Sequence, residues 1–181
     1  AVGVPFYLLD ATNEFYEKVV MPFVEAYLIG DTPNPCAKCN PEVRWRFLLN
    51  YADLIGAKYV ATGHYARLKQ DADGKVTLSR GKDAKKDQSY ILSRLPSAAL
   101  ERSLFPLGEM TKTEVRELAK NAAIPSFEKR ESQDICFIAD GDYRGFLTRC
   151  AGDRIQPGSF VDSNGKVVGK HDGIPFYTIG Q

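Results

Sequence analysis

The 181-residue sequence lacks several features that would assign a protein to a class at once. It has no run of about 18 apolar residues, which argues against a membrane-spanning helix. The first residues, AVGVP, have neither the charged nor the apolar region of a signal peptide. It has no excess of one charge, since 24 Lys and Arg face 23 Asp and Glu, so any surface for a polyanion must be local. We expect a soluble, cytoplasmic protein with no membrane partner.

Cysteine is also scarce. The four thiols, Cys36, Cys39, Cys136 and Cys150, are too few for a disulfide scaffold in a chain of this length. In a reducing compartment the C-x-x-C spacing of the first pair indicates metal binding or catalysis. A structural zinc site needs four ligands, and the sequence has neither a second C-x-x-C nor a spaced His pair. We therefore rank structural zinc below a catalytic or an iron–sulfur role.

The strands and helices expected in the first 65 residues alternate in the manner of an α/β fold. Phe6–Leu9 suits a short buried strand, and a helix opened by Thr12 follows, with an apolar residue at every fourth position. A further helix is predicted after the cysteines, and then a strand over Ala57–Thr62 that ends at Gly63 and His64. This order predicts a parallel sheet wound with helices, whose ligands lie beyond the carboxyl ends of the strands.

The C-x-x-C stretch, TPNPCAKCN, is stiffened by Pro33 and Pro35. Asn40 is predicted to cap the following helix, with Pro41 at its first position. Cys39 would then lie just before the helix start, where the dipole favours an anion and lowers the pKa of a thiol. The pattern predicts a thiolate at Cys39.

Later elements are predicted from local signals. These are a hairpin of Ala66–Lys69 and Lys75–Ser79, a charged loop over Lys82–Gln88, helices over Gln88–Leu100 and Thr111–Ala122, a loop and apolar strand over Ser132–Ile138, a helix over Tyr143–Cys150, and β structure over Gly158–Val168 and Ile174–Ile179. Thr111 and Glu114 have the spacing of a capping box. The chain starts and stops in strand-like sequence, so we expect a fragment cut at both ends.

Local sequence leaves several of the polar and thiol residues undecided. Cys136 would pass for a buried core cysteine. The run Lys85–Tyr90 offers cations, an amide and an aromatic ring that suit phosphates and bases, but most charged runs are solvated loops. His64 fits a base-stacking or acid–base residue as well as an ordinary loop residue.

Five motifs in order closely resemble the bacterial tRNA-specific 2-thiouridylase family. They are TPNPCAKCN from Thr32, ATGHY from Ala61, KDQSY from Lys86, LFPLG from Leu104 and DICFI from Asp134, and the stretch from Gly169 to Gln181 resembles the family's middle domain. The resemblance implies a truncated, Rossmann-like PP-loop sheet of the adenine nucleotide alpha hydrolase type, followed by part of a smaller mixed domain with β-hairpins. It assigns residues 1–101 and 129–142 to the adenylation domain, and residues 102–128 and 143–181 to the central tRNA-binding domain.

The reaction implied by the resemblance is a tRNA-uridine 2-sulfurtransferase reaction. ATP, with Mg²⁺, adenylates the C2 oxygen of the wobble uridine in the tRNAs for glutamate, glutamine and lysine, and sulfur then replaces the oxygen. A cysteine desulfurase or a sulfur-relay protein is the implied donor. The family's nucleotide-binding loop and terminal barrel are absent from these 181 residues, so this chain alone is expected to be inactive.

Residue by residue, the resemblance makes Cys39 the nucleophile and Cys136 the persulfide carrier. Gly63 matches an ATP contact. Positions near the target base are Asn34, Pro35 and Cys36, and tRNA contacts are His64, Lys86, Asp87 and Gln88. The scheme is chemically coherent, because adenylation creates a good leaving group and a low-pKa sulfur attacks the activated carbon.

One departure from the family opens an alternative. Many members have Asp where this chain has Cys36, so the proton-transfer role proposed for that carboxylate does not carry over. A [4Fe–4S] cluster with one open iron has three cysteine ligands, and this chain could supply that number with Cys36, Cys39 and Cys136. The persulfide route is favoured modestly over the cluster.

Two alternatives come from other classes. A non-catalytic zinc or RNA-binding module would use C-x-x-C as a structural knuckle. A thioredoxin-type dithiol oxidoreductase is disfavoured, because Pro35 precedes the motif and the expected small single-sheet domain is not evident.

Overall fold

The computed structural model describes residues 3–124 and 135–178. The chain divides into two compact units, one built from residues 1–18 and 36–130 and the other from residues 19–35 and 131–181. In the described residues, no helix has the length and apolar character needed to cross a membrane.

Helices and short strands make up both units. The helical segments are α1 (Thr12–Phe15), a π-helical turn (Tyr16–Val20), α2 (Met21–Leu28), α3 (Pro35–Cys39), a second π-helical turn (Asn40–Arg44), α4 (Trp45–Leu54), α5 (Ser89–Leu92), α6 (Ser97–Glu101), α7 (Lys112–Asn121) and α8 (Tyr143–Ala151). The strands are β1 (Val60–Ala61), β2 (Ala66–Gln70), β3 (Val76–Arg80), β4 (Ser103–Leu104), β5 (Gly158–Val161) and β6 (Val167–His171). Short 3₁₀ turns cover Gly152–Arg154 and Ile174–Phe176.

The first unit contains the predicted parallel pairing. β1 pairs in parallel with β4, with Val60 opposite Ser103, which confirms the α/β class. β2 and β3 form the predicted antiparallel hairpin, and its turn places Gly74 at φ 82°, a conformation that favours glycine. The core packs α4, α5 and α6 against these strands; its buried residues are Trp45, Ala52, Val60, Ala66, Ile91, Leu92, Leu95, Ala99 and Leu100.

The second unit has a core rich in aromatic rings. Its buried residues are Phe23, Val24, Tyr27, Ile138, Leu147 and Ala151, from α2, α8 and the turn before α8. The predicted helix over Tyr143–Cys150 is present as α8, capped by Asp142, whose side chain accepts a hydrogen bond from the Gly145 amide. β5 and β6 pair antiparallel around the predicted turn that contains Gly165.

The predicted N-terminal strand is wrong. Phe6–Leu9 forms no strand, and Phe6 and Leu8 are 87% and 86% exposed. A strand exists only through hydrogen bonds to a neighbour, and among the described residues this run pairs with no other strand.

Proline explains two further corrections. The helix predicted over Gln88–Leu100 is split into α5 and α6, because Pro96 has no backbone N–H to continue it. Ile174–Phe176 is a 3₁₀ turn that contains Pro175 rather than a strand, and Ile179 lies outside the described residues. Residues 132–134 also lie outside them, while Ile135–Ile138 closes a turn through the Ile138 amide and the Ile135 carbonyl.

Candidate active site

The C-x-x-C stretch lies inside a helix rather than ahead of one. α3 begins at Pro35, continues through the π-helical turn and leads into α4, so Cys39 has helical backbone angles. The prediction that Asn40 caps this helix is wrong, and the argument from the helix start does not apply to Cys39. It is Cys36 that occupies the first turn, after a proline that suits that position. Both thiols are half-buried.

Asn40 is a buried residue of the first unit, with 1% of its surface exposed. Its side-chain Nδ2 donates to the carbonyl oxygen of Cys36 at 3.0 Å and to that of Ile91 in α5 at 3.1 Å. Its Oδ1 accepts from Nη1 of Arg44 at 3.2 Å. The amide therefore joins the C-x-x-C turn to a helix more than fifty residues away.

The same Arg44 Nη1 lies 3.3 Å from Nε2 of His64. A guanidinium only donates hydrogen bonds, so Nε2 accepts and the ring proton is on Nδ1. Nδ1 then donates to Oγ1 of Thr62, 2.9 Å away. We call this chain of groups, from Thr62 through His64, Arg44 and Asn40 to the Cys36 carbonyl, the polar relay.

His64 is held neutral by its surroundings. The residue is 7% exposed, and its ring lies 5.7 Å from that of Trp45 and 6.3 Å from that of Phe105, centroid to centroid. Burial, and then the charge of Arg44, lower the pKa of His64 to about 4. At neutral pH the imidazole is therefore an uncharged acceptor rather than an acid.

Gly63 lies two residues after β1, which is shorter than the strand predicted over Ala57–Thr62 but ends close to the predicted place. The Thr62 amide donates to the Leu104 carbonyl at 3.1 Å, which continues the β1–β4 pairing to the carboxyl end of the sheet. Gly63 is exposed there, and a Cβ at this position would lie at an ordinary 3.6 Å from the Leu107 side chain. The exposed backbone at this edge fits a nucleotide contact, because ligands of such sheets bind beyond the strand ends.

Two of the predicted tRNA contacts shape the loop that contains them. Asp87 accepts from the Gly81 amide at 2.9 Å and from the Ser89 hydroxyl at 2.8 Å, and these bonds help to lower the pKa of its carboxyl group although burial opposes them. Gly81 has no room for a side chain, since a Cβ would lie 2.8 Å from the Tyr65 carbonyl oxygen. Gln88 accepts from the Tyr65 amide at 3.0 Å. Lys86, on the same loop, is half-buried.

The structure thus brings several predicted site residues together in the first unit. Hydrogen bonds join the Cys36–Cys39 turn to His64, and Gln88 bonds to the residue after His64. Cys136, Asn34 and Pro35 belong to the second unit; Cys136 and Asn34 are exposed and Pro35 is buried.

Sequence reasoning missed Arg44 and Thr62 and assigned Asn40 the wrong role. A signal for part of this was present, because residues 36, 40 and 44 are spaced by four and lie on one helix face.

A resident metal centre is not preformed in the described part of the chain. Across residues 3–124 and 135–178, no three His, Cys, Asp or Glu side chains are arranged to hold a metal ion. The iron–sulfur alternative stays a prediction, and we derive no step through a cluster.

Comparison with known proteins gives the class and then the family. Residues 1–140 match the family described as tRNA methyl transferase HUP domain, and residues 144–181 match the tRNA methyl transferase PRC-barrel domain. With its parallel β1–β4 pair, the chain is an α/β protein with a Rossmann-like HUP domain. It belongs to the family of tRNA-specific 2-thiouridylases, as the resemblance predicted.

The curated relatives that support this assignment are bacterial. A tRNA-specific 2-thiouridylase MnmA of Carboxydothermus hydrogenoformans is 50% identical over 181 residues, covering 99% of this chain and 50% of the relative. Proteins of the same name from Chloroflexus aurantiacus and Moorella thermoacetica are 47% and 46% identical, again over 99% of this chain and 50% and 51% of their own lengths. The chain spans about half the length of the curated relatives it matches.

Proposed function

We propose that this chain is part of a tRNA-uridine 2-sulfurtransferase that makes 2-thiouridine at the wobble position of the tRNAs for glutamate, glutamine and lysine. The observation that carries the proposal is the geometry of the Cys36–Cys39 turn. The buried side-chain amide of Asn40 fixes the carbonyl of Cys36, and this turn is close to the carboxyl end of a HUP-domain sheet. The Cys39 thiolate needs such a fixed position, because in the sulfur step proposed below it must meet a single sulfur atom, that of Cys136, in line with the bond that breaks.

In the proposed reaction ATP activates the uridine: the C2 oxygen of uridine forms a bond to the α-phosphate of ATP, and pyrophosphate is released. Mg²⁺ is the expected counterion of ATP. Gly63 is the proposed nucleotide contact in this chain. The base must leave its stack to be reached, and Asn34, Pro35 and Cys36 are the positions proposed to lie near it. Lys86 is proposed to contact a phosphate, with Asp87 and Gln88 at the same interface.

The sulfur step is proposed to use two cysteines. The terminal sulfur of a persulfide on Cys136 attacks C2, and AMP leaves with the original oxygen. The Cys39 thiolate then attacks the Cys136 sulfur, so that a Cys39–Cys136 disulfide forms and the bond electrons pass to the sulfur on C2, giving 2-thiouridine. A cellular thiol reductant reduces the disulfide, and a cysteine desulfurase or a sulfur-relay protein reloads Cys136.

A thiolation assay tests the proposal. This sequence, joined to the remaining half that its relatives have, is incubated with glutamate, glutamine or lysine tRNA, ATP, and a cysteine desulfurase with cysteine, and the nucleosides are analysed by mass spectrometry. We expect 2-thiouridine from the wild type, none from Cys39→Ser or Cys136→Ser, and wild-type yield from the control Cys150→Ser. Unchanged yield in Cys39→Ser would refute the role of the turn.

Iron and sulfide analysis of anaerobically purified protein separates the persulfide route from the cluster route. The persulfide route predicts activity without stoichiometric iron. Cluster loss together with activity loss in Cys36→Ala would instead establish the iron–sulfur alternative.

A further inference from the structure

The amide of Asn40 is more constrained than a helix residue requires. Both of its protons are used, on the carbonyls of Cys36 and Ile91, and its oxygen accepts from Arg44. The carbonyls only accept and the guanidinium only donates, so these partners fix which end of the amide is nitrogen. Pro41, the next residue, has no backbone N–H, and the helix widens here into a π-helical turn. The Asn40 side chain adds a donor to the turn where the backbone has lost one.

The far end of the polar relay is anchored in the sheet. Thr62 continues the β1–β4 pairing through its backbone amide, and its hydroxyl accepts from His64. His64 is wedged among the rings of Trp45 and Phe105, so it presents Nε2 to Arg44 in one orientation. Arg44 is exposed, and one of its nitrogens serves both His64 and Asn40. The relay therefore connects a rigid strand end to the carbonyl of Cys36.

We propose that Asn40 is the positioning residue of the Cys36–Cys39 turn, and that His64 acts on this turn through Arg44 rather than by touching tRNA. The proposal rests on the proposed function only for the reaction in which the Cys36–Cys39 turn takes part. A displacement of about 1 Å in a reacting group can cost about 100-fold in rate. The Cys36–Cys39 turn is the first turn of the helix that continues into α4, where backbone N–H groups have no intrahelical acceptor, so the side-chain bond from Asn40 adds a constraint there.

The first test uses this chain without tRNA or ATP. The rates at which iodoacetamide alkylates Cys36 and Cys39 are measured by mass spectrometry, with exposed Cys150 as the internal reference. Arg44→Gln replaces the guanidinium that serves both His64 and Asn40 with a shorter amide at an exposed position, and Arg46→Gln is the matched control on the same helix. We expect Arg44→Gln to raise both rates about fivefold, the change in an equilibrium that one hydrogen bond of about 1 kcal/mol produces. Equal rates in Arg44→Gln and the wild type would overturn the proposal.

Two substitutions of His64 then separate the relay from simple packing. His64→Gln keeps an acceptor at the position of Nε2, and His64→Asn keeps only the shorter donor toward Thr62. We expect wild-type alkylation rates in His64→Gln and raised rates in His64→Asn. Raised rates in both variants, or in neither, contradict the relay; if His64→Asn does not fold, the comparison of Arg44→Gln with Arg46→Gln decides.

The thiolation assay gives an independent readout. We expect His64→Asn to lower kcat and to leave the KM for tRNA unchanged. A change confined to KM would assign His64 a direct tRNA contact and refute its action through Arg44. Failure of the wild type to thiolate tRNA would refute the proposed function, whereas the alkylation rates would still report on the relay.

Discussion

The cores of the two units bury their large aromatic side chains in different ways. The first unit buries Trp45 with its indole N–H donating to Ser103 at 2.6 Å, and Ser103 in turn donates to the Ala99 carbonyl at 2.6 Å. The second unit buries Phe23 among the rings of Tyr27, Phe137 and Phe146, in edge-on contacts of 4.9–6.2 Å. Hydrogen bonds in the first core fix which group donates and which accepts, whereas the ring pairs of the second core favour edge-on geometry and impose no donor–acceptor order. The core with directional bonds is the one next to the candidate active site.

The largest effect expected from this comparison is in the aromatic core. Phe23→Ala should lower the free energy of unfolding by about 3–5 kcal/mol, because a 1% exposed ring leaves a cavity that its neighbours cannot fill. Urea unfolding measures the loss. The matched control is Phe6→Ala, whose ring is 87% exposed and which should change the free energy by less than about 0.5 kcal/mol. Similar losses in both variants would show that Phe23 is not a core residue.

A smaller effect is expected where the first core depends on a directional bond. Ser103→Ala leaves the buried indole N–H of Trp45 without its acceptor and should cost about 1–3 kcal/mol in urea unfolding. Trp45→Phe should lower the free energy of unfolding by less in the Ser103→Ala background than in the wild type, since the Trp45–Ser103 bond is already lost there. Strictly additive losses would argue against the Trp45–Ser103 bond.

The third effect is a pH dependence that belongs to His64, and near neutral pH it is the smallest of the three. Its pKa is about 4 when folded and about 6.5 when unfolded, so between these values the unfolded chain binds the proton and the folded chain does not. Stability is therefore full above about pH 6.5 and falls as the pH drops toward 4, by up to about 1.4 kcal/mol per pH unit. Unfolding curves of the wild type and His64→Gln across this range should diverge on acidification, with the wild type losing more. Parallel curves would contradict a buried, neutral His64.

Local features of this fold were predictable from sequence because their causes are local. The hairpin depends on the Asp71–Gly74 turn, in which Asp71 accepts from the Lys75 amide at 2.8 Å. The Thr111–Glu114 capping box formed as predicted, with both reciprocal bonds present. Such features need only a few neighbouring residues, so the pattern and the structure agree.

The candidate site was less predictable because its causes are distant. Asn40 followed by Pro41 has the pattern of a helix start, but Pro35 also suits that position. The group that distinguishes these two possible helix starts is the Ile91 carbonyl, which accepts from the Asn40 side chain and is 51 residues away. His64 was ambiguous for the same reason, since Trp45 and Phe105 bury it only once the chain has folded. The exchange of sulfur between Cys39 and Cys136 stays a prediction.

The π-helical turn over Asn40–Arg44 gives this segment one residue more than a regular α-helix would need. A π turn is equivalent to an α-helix with one inserted residue, and each residue of an α-helix adds about 100° of rotation. Deleting one residue from this turn would therefore let it close as a regular α-helix with little rotation of the two thiols relative to the buried tryptophan, whereas deleting one residue within α4 would rotate the helix by about 100° at the deletion. Engineered or natural variants of this segment should therefore tolerate the loss of one exposed residue from the π-helical turn more readily than the loss of one residue from α4.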